Sequence, residues 1–302
     1  MAAVAAETLI IGSRGSALAV WQARFVAALL GRAGFAARIE IVKTTGDHLQ
    51  TASLTQAGGK GLFTKELEEA LLSGAIDIAV HSLKDLPTEL PAGLAIAAVP
   101  ERESPFDAMA GKKLDELRAG ARVGTSSGRR AAQLRLLRPD LATEPIRGNV
   151  DTRLRKLKEG QFDAILLAVA GLKRLGLEDE IAQIFSAAEM CPAPGQGALG
   201  IETLAGGDVE QACRRLTHAA SSAAVRCERA VLAALGGGCQ LPVGAFAEIV
   251  DGAIRVQAIV AAPDGSRCLR VETAGTGPEA LGRSVGEDLL ARGAGRLLAQ
   301  ST

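Results

Sequence analysis

Apolar positions along this chain switch between a period of two and a period near 3.6, and that switching predicts alternating strands and helices. Residues 9–12 form a short apolar strand ending in Ser13-Arg14-Gly15-Ser16. Leu18, Trp21, Phe25, Ala28 and Leu29 then recur at helical spacing. Residues 38–43 alternate as a strand, 64–73 read as an amphipathic helix, and 76–80 as a buried strand. A further strand, 94–99, stops at Pro100. This alternation specifies a mainly parallel sheet with crossover helices.

Pro100-Glu101-Arg102-Glu103-Ser104-Pro105 is polar and proline-bracketed, and marks a first boundary. A second α/β run follows: strand 122–124, helices 129–137 and 152–158, and strand 164–169. Cys191-Pro192-Ala193-Pro194-Gly195-Gln196-Gly197 reads as a return crossing, after which strand 198–202 and a helix from Asp208 complete the first unit. From Ser221 one helix leads to a glycine-rich loop, then strands 244–249, 254–260 and 268–273 and a helix from Pro278. The expected fold class is therefore α/β. Domain 1 takes residues 1–100 and 195–219, domain 2 takes 101–194, and a small α+β domain 3 takes 220–302. Ile10-Ile11-Gly12-Ser13-Arg14 and Val123-Gly124-Thr125-Ser126-Ser127-Gly128-Arg129 echo each other as strand, small polar turn, arginine, helix. Ligands bind at the carboxyl ends of strands in open α/β sheets, so two such units imply a cleft between similar domains.

Composition narrows the function. Lys+Arg and Asp+Glu balance at 34 each, which argues against the broad basic field that nucleic acids and membrane surfaces need. There is no tyrosine and aromatics make up 3%, so a base-stacking platform is not expected. The five cysteines form no CxxC pair and the three histidines form no HExxH, so neither a disulfide framework nor a metal site is expected. No apolar run reaches membrane-spanning length, and residues 1–6 lack a basic region, so a cytoplasmic protein is expected.

Cys239 follows three glycines in Gly236-Gly237-Gly238-Cys239-Gln240-Leu241-Pro242. A thiol set in so open a loop can approach another molecule closely; the alternative is a glycine helix cap with an incidental cysteine behind it. Arg129 and Arg130 begin a helix, where the macrodipole disfavours cations. Either an anion lies nearby or both turn to solvent. Arg147-Gly148-Asn149-Val150-Asp151-Thr152-Arg153 repeats the theme, Arg14 with Ser13 and Ser16 makes a third site, and Lys60 in Gly58-Gly59-Lys60-Gly61 a fourth. GxxxxGK[ST] and GxGxxG are both absent, and arginine forks suit carboxylates as well as phosphates, so several separated sites imply a polycarboxylate. His81-Ser82-Leu83-Lys84-Asp85-Leu86-Pro87 follows a buried strand. Asp85 is either half of a surface pair with Lys84 or a lone carboxylate suited to stabilising a cationic intermediate and moving protons.

Taken in order, these segments closely resemble the porphobilinogen deaminase (hydroxymethylbilane synthase) family. The matches begin with Ser13-Arg14-Gly15-Ser16-Ala17-Leu18-Ala19, Trp21-Gln22 and Gly58-Gly59-Lys60-Gly61-Leu62-Phe63. They continue through His81-Ser82-Leu83-Lys84-Asp85-Leu86-Pro87, Gly124-Thr125-Ser126-Ser127, Arg129-Arg130, Arg147-Gly148-Asn149 and Thr152-Arg153-Leu154. Leu167-Ala168-Val169-Ala170-Gly171-Leu172 with Arg174-Leu175, Pro194-Gly195-Gln196-Gly197-Ala198 and Gly237-Gly238-Cys239-Gln240 complete the set. Any one is weak; the ordered set is specific.

The resemblance implies a fold in which domains 1 and 2 are similar to periplasmic-type binding proteins. It implies a dipyrromethane cofactor attached to Cys239 through a thioether, onto which four porphobilinogen molecules are added with loss of ammonia before hydrolysis releases hydroxymethylbilane. Asp85 matches the catalytic carboxylate. Ser82, Lys84, Asp85, Ser127, Arg129, Arg130, Arg147 and Gly148 match cofactor contacts; Arg14, Ser16, Lys60, Arg153, Arg174 and Gln196 match substrate contacts. A monomer is implied, with no nucleic-acid or membrane partner. Gln56 stands where many members have lysine, Gly128 replaces a larger residue, and Asp151 adds a negative charge to an arginine-rich turn. Two rivals remain: a non-catalytic polycarboxylate-binding protein, and a cysteine hydrolase, which would need one of only three histidines.

Overall fold

The computed structural model describes residues 8–43, 64–237 and 241–299. Cys239, Lys60, Gln56 and His48 lie outside the described residues. The chain divides into two compact units, Met1–Arg102 with Ala198–Ser222, and Glu103–Gly197 with Ala223–Thr302.

In the first unit, β1 (Leu9–Ser13) runs into α1 (Ala17–Arg32), β2 (Ala37–Ile41), α2 (Lys65–Leu72), β3 (Ile78–Ser82) and β4 (Leu94–Ala98). The sheet order is β2-β1-β3-β10-β4, with β10 (Leu199–Leu204) supplied by the returning chain. β1 pairs in parallel with both β2 and β3, whereas β10 pairs antiparallel with β3 and β4. Ala23, Val26 and Leu30 of α1 bury one helix stripe against Ile11, Ile78 and Ile201 of the sheet. Leu67 and Leu71 of α2 pack in a second cluster with Ile76, Ala79 and Leu94. Both faces follow i, i+3, i+4 spacing, but in α1 the buried face is offset from the Leu18, Trp21, Phe25, Ala28 and Leu29 stripe of the sequence reading, of which Ala28 is exposed and the rest half-buried.

The second unit contains β5 (Asp107–Gly111), β6 (Arg122–Gly124), α3 (Gly128–Leu137), β7 (Ala142–Glu144), α4 (Val150–Lys158), β8 (Ala164–Ala168), α5 (Val169–Arg174) and β9 (Ile181–Ile184). Its sheet order, β7-β6-β8-β5-β9, reproduces that of the first unit position by position. Again three strands are parallel, and again the fourth, β5, runs antiparallel to both neighbours. The expected duplication is therefore present. The two antiparallel insertions and the short strands β5, β7 and β9 go beyond what the apolar pattern predicts.

α6 (Asp208–Arg214) packs on the first unit, and α7 (Ala219–Ala234) begins the C-terminal region. There β11 (Val243–Val250), β12 (Ala253–Ala261) and β13 (Cys268–Gly275) form an antiparallel meander. α7, α8 (Pro278–Ala291) and α9 (Ala294–Leu298) pack against it around Val231, Leu235, Val256, Val285 and Leu289. This small domain has its own sheet and core, yet it belongs to the same compact unit as residues 103–197 rather than standing apart. In this division the first unit resumes at Ala198. Gly197 marks that junction: its φ is +83°, and an added Cβ would sit 2.3 Å from the Glu103 carbonyl oxygen. Only glycine permits that conformation at so close a backbone approach. Among the described residues no helix is long and apolar enough to cross a membrane.

Candidate functional site

Parallel neighbours deliver their carboxyl ends to the same sheet edge, and in the first unit β1 and β3 do so with the expected residues. β1 ends at Ser13, leaving Arg14 half-buried and Ser16 as N-cap of α1, its hydroxyl accepting from the Ala19 N–H at 3.3 Å. β3 ends at Ser82 and passes into a single 3-10 turn, Leu83–Asp85. Leu83 and Leu86 are buried while Asp85 between them is exposed and Lys84 half-buried, so two apolar pegs hold a carboxylate outward. The Leu83 N–H donates to the Ala198 carbonyl at 3.0 Å, and Gln22 Nε2 of α1 donates to Ser82 Oγ at 2.9 Å. Beneath the turn, His81 Nε2 pairs with Glu202 Oε2 at 3.0 Å, both side chains buried. Burial pushes the carboxyl of nearby Glu68 above its ordinary range.

The second unit presents the same edge with β7, β6 and β8. After β6, Ser127 caps α3 by accepting from the Arg130 N–H at 3.4 Å. After β7, Arg147 and Gly148 form the turn into α4. Gly148 has φ +109°, and an added Cβ would lie 2.6 Å from Thr152 Cγ2, so this turn tolerates no side chain. Arg153 Nε donates to the Gly148 carbonyl at 2.8 Å, and Lys156 Nζ to that of Arg147 at 3.2 Å. Asp151, exposed in the first turn of α4, suits the positive end of the helix dipole. After β8, α5 ends at Arg174, whose Nη2 donates to the Gly197 carbonyl at 2.6 Å. Burial pulls the Arg174 guanidinium down to about 10, with Glu103 opposing.

Of the two readings of the arginines at the start of α3, the structure shows a nearby anion, and it is an internal one. Asp107, fully buried at the head of β5, sits at this edge because β5 runs antiparallel to β8, with Asp107 opposite Ala168. Arg129 Nη1 lies 2.7 Å from Asp107 Oδ2 and its Nη2 3.1 Å from Oδ1. Arg130 Nε lies 2.8 Å from Oδ1, and Gln196 Nε2 donates to the same oxygen at 2.9 Å. Arg129 also donates to the Cys191 carbonyl at 2.7 Å, and Arg130 to that of Leu166 at 3.1 Å. Burial alone would raise the Asp107 carboxyl, but the two guanidiniums, Arg129 foremost, hold it far below the carboxylate range.

Removing this carboxylate takes the shared counter-ion from two buried guanidiniums, so Asp107→Ala should destabilise the protein by about 3–5 kcal/mol in urea unfolding. The pH dependence has a fixed sign. A carboxyl lowered on folding stabilises fully above its unfolded value of about 3.9 and loses that contribution as pH falls through the folded value. Unfolding midpoints of the native chain should therefore fall on acidification below about pH 4 more steeply than those of the variant.

Gln196 is fully buried, and its amide donates to the Pro105 carbonyl at 2.7 Å and to Asp107 at 2.9 Å. Arg129 and Arg130 are 4% and 6% exposed, and both pair with Asp107. Asp107 itself was not singled out from the sequence. Its only local signal is an acid placed just after the proline-bracketed linker, and its partners lie more than twenty residues away. Among the described cysteines, Cys191, Cys213 and Cys227 are buried and their thiols are pushed up to about 12 by burial, while Cys268 is exposed. Among the described residues no group of three or more His, Cys, Asp or Glu could hold a metal ion. In the first unit Arg14 and Lys84 are half-buried just past strand ends; in the second Arg147 and Arg153 are half-buried around the turn into α4, and Arg129 Nε is buried without a hydrogen-bond partner among the described residues.

Comparison with known proteins agrees. Residues 9–211 match the model of the porphobilinogen deaminase dipyrromethane cofactor binding domain, and residues 222–291 match that of the porphobilinogen deaminase C-terminal domain. The porphobilinogen deaminase of Thiobacillus denitrificans is 49% identical, with 97% of this chain and 98% of that protein covered. That of Desulforudis audaxviator is 50% identical, with 97% of each covered. Among solved structures, a periplasmic substrate-binding protein of an ABC transporter from Coxiella burnetii aligns with a TM-score of 0.44 and 13% identity, over 71% of this chain and 93% of that one. With two family models together spanning most of its length and relatives near half identity from end to end, the chain belongs to the porphobilinogen deaminase family.

Proposed function

We propose that the protein is a transferase that condenses four porphobilinogen molecules head to tail, releasing one ammonia per addition, and hydrolyses the product free as hydroxymethylbilane for tetrapyrrole synthesis. It acts in the cytoplasm as a monomer. The observation that carries this reading is the exposed Asp85 carboxylate, held on a braced turn at the same sheet edge as Arg14 and Ser16. In each addition a C–N bond of the incoming porphobilinogen breaks and ammonia leaves. Asp85 stabilises the positive charge that develops on that pyrrole. A C–C bond then forms, and Asp85 takes up the proton displaced from the joined carbon.

Every pyrrole carries an acetate and a propionate, so the arginines have carboxylates to hold. Ser82, Lys84, Ser127, Arg129, Arg130, Arg147 and Gly148 are assigned to the cofactor. Arg14, Ser16, Lys60, Arg153 and Arg174 are assigned to the growing chain. Cys239 carries the dipyrromethane, which when bound supplies the free pyrrole end that accepts the first substrate. The buried, proton-retaining thiols of Cys191, Cys213 and Cys227 support that assignment, because the thiolate is the nucleophile.

Intact-mass measurement tests the reading. Purified active protein should exceed its sequence mass by two pyrrole units and give the aldehyde colour reaction of dipyrromethanes. Turnover by protein of unmodified mass would overturn it, and neither a binding protein nor a cysteine hydrolase would carry such an adduct.

A further inference from the structure

Beneath the Asp85 turn the first unit buries a cluster of acids that the chemistry above does not use. Gly200 of β10 stands opposite His81 of β3, and Glu202 opposite Ala79, so these four residues share one face of the sheet. α2 covers that face, with Leu67 and Leu71 against Ala79 and with Glu68 buried beside them. The turn closes over the same face: an added Cβ on Gly200 would lie 2.8 Å from Leu83 Cδ1 and 3.2 Å from Leu86 Cδ1. The two leucines that hold Asp85 outward thus rest on the glycine opposite His81, and Glu202 lies two residues farther along β10.

Among the described residues this cluster is short of hydrogen-bond donors. His81 Nε2 meets Glu202 Oε2 at 3.0 Å, but Oε1 of the same carboxylate is buried without a partner among the described residues, and so is Glu68 Oε1. α2 packs on β1, β3, β4 and β10, of which β1 and β4 carry no titratable side chain. The groups that act on Glu68 are Glu202 of β10 and His81 of β3, with Thr64 and Glu69 at and on its own helix. Buried acceptors are rarely left unmet. Two carboxylates in one buried site are met together when one of them keeps its proton, since a protonated carboxyl donates where an ionised one only accepts. Burial, with Glu202 and Glu69 adding to it, raises the Glu68 carboxyl against the opposing pull of Thr64 and His81.

We propose that Glu68 is a positioning residue for the Asp85 turn: it shares a proton with Glu202 Oε1, and that bond pins α2 to β10 under the leucines on which the turn rests. The catalytic consequence rests on the function proposed above; the shared proton does not. Glu68 touches neither cofactor nor substrate. It acts through Glu202, the pairing of β3 with β10, and the turn seated on that pair.

The experiment compares the native chain with Glu68→Gln and Glu68→Leu. Melting temperatures are first followed against pH. A folded chain that holds the proton binds one that the unfolded chain gives up above about pH 4.3, so its stability falls as pH rises from there toward the folded value. Glutamine donates at every pH and carries no such loss. The melting temperature of Glu68→Gln relative to the native chain should therefore rise by several degrees between about pH 4.5 and about pH 7. A difference that stays level or moves the other way means that Glu68 is ionised on folding, and overturns the proposal. At neutral pH Glu68→Leu, which leaves Glu202 Oε1 without its donor, should lower kcat about tenfold with KM and the two-pyrrole adduct unchanged. Glu68→Gln should recover most of that kcat. Equal kcat in the two variants, whether native or low, overturns the positioning role. Should Glu68→Leu not fold, the pH series on the native chain and Glu68→Gln decides alone, because the proposal falls with the shared proton. A native chain that folds but turns over no porphobilinogen refutes the proposed function, and the pH series still decides the proton.

Discussion

Replacing Asp85 with asparagine should lower turnover by about 100- to 10,000-fold, the range of a positioned proton-transfer group, while the two-pyrrole adduct remains on the protein. The geometry isolates the chemistry from the fold. Asp85 is exposed, and no hydrogen bond of the 3-10 turn described above uses its side chain. That turn is held instead by buried Leu83 and Leu86 and by the Leu83 N–H bond to Ala198. Asparagine keeps the shape and removes the charge, so the loss should fall on kcat with the melting temperature unchanged. Ammonia release in a single turnover is the direct measure. Release at near-native rate would remove Asp85 from its assigned role.

Cys239→Ala should abolish both the covalent adduct and product formation, an all-or-none loss. The thiols elsewhere are poor substitutes for a physical reason. Cys191, Cys213 and Cys227 are buried, and burial pushes each up to about 12, so almost none is thiolate at neutral pH. Cys268 on β13 is exposed and provides the internal control. Peptide mapping of the native adduct should place it on the peptide containing residue 239. An adduct on Cys191, Cys227 or Cys268, or one that persists in the variant, would overturn the assignment.

The existence of the long helices was legible in the sequence because apolar residues recur at helical spacing, but in α1 the stripe read there, Leu18, Trp21, Phe25, Ala28 and Leu29, is at most half-buried, and the face that packs on the sheet is Ala23, Val26 and Leu30. Strand β5 was not legible. Asp-Ala-Met-Ala-Gly holds no β-branched residue, and its strand character comes from the two neighbours that pair with it. β7 and β9, at three and four residues, are too short to show a period. At the site, turns that follow directly from a strand were readable: Arg14, Ser82 to Asp85 and Ser127 all stand at strand ends. What could not be read was the partner of Arg129 and Arg130. Local rules left open whether an anion stands at the start of α3 or both arginines turn to solvent, and only the antiparallel insertion of β5 brings Asp107 to that edge.

The place of β10 in its sheet has a consequence for how the protein is made. A chain grows from its N-terminus, and domains generally fold as units as they emerge. The sheet of the second unit draws all five strands from one uninterrupted stretch, β5 to β9, and can assemble as soon as that stretch is complete. The first sheet cannot: β3 and β4 have β10 between them, and β10 is synthesised only after the whole of the other sheet. The Ala198 carbonyl that steadies the Asp85 turn arrives with it. The part of the protein that appears first on the ribosome is thus finished after the part that follows it, and the Asp85 turn gains this brace only once the inserted sheet has been made.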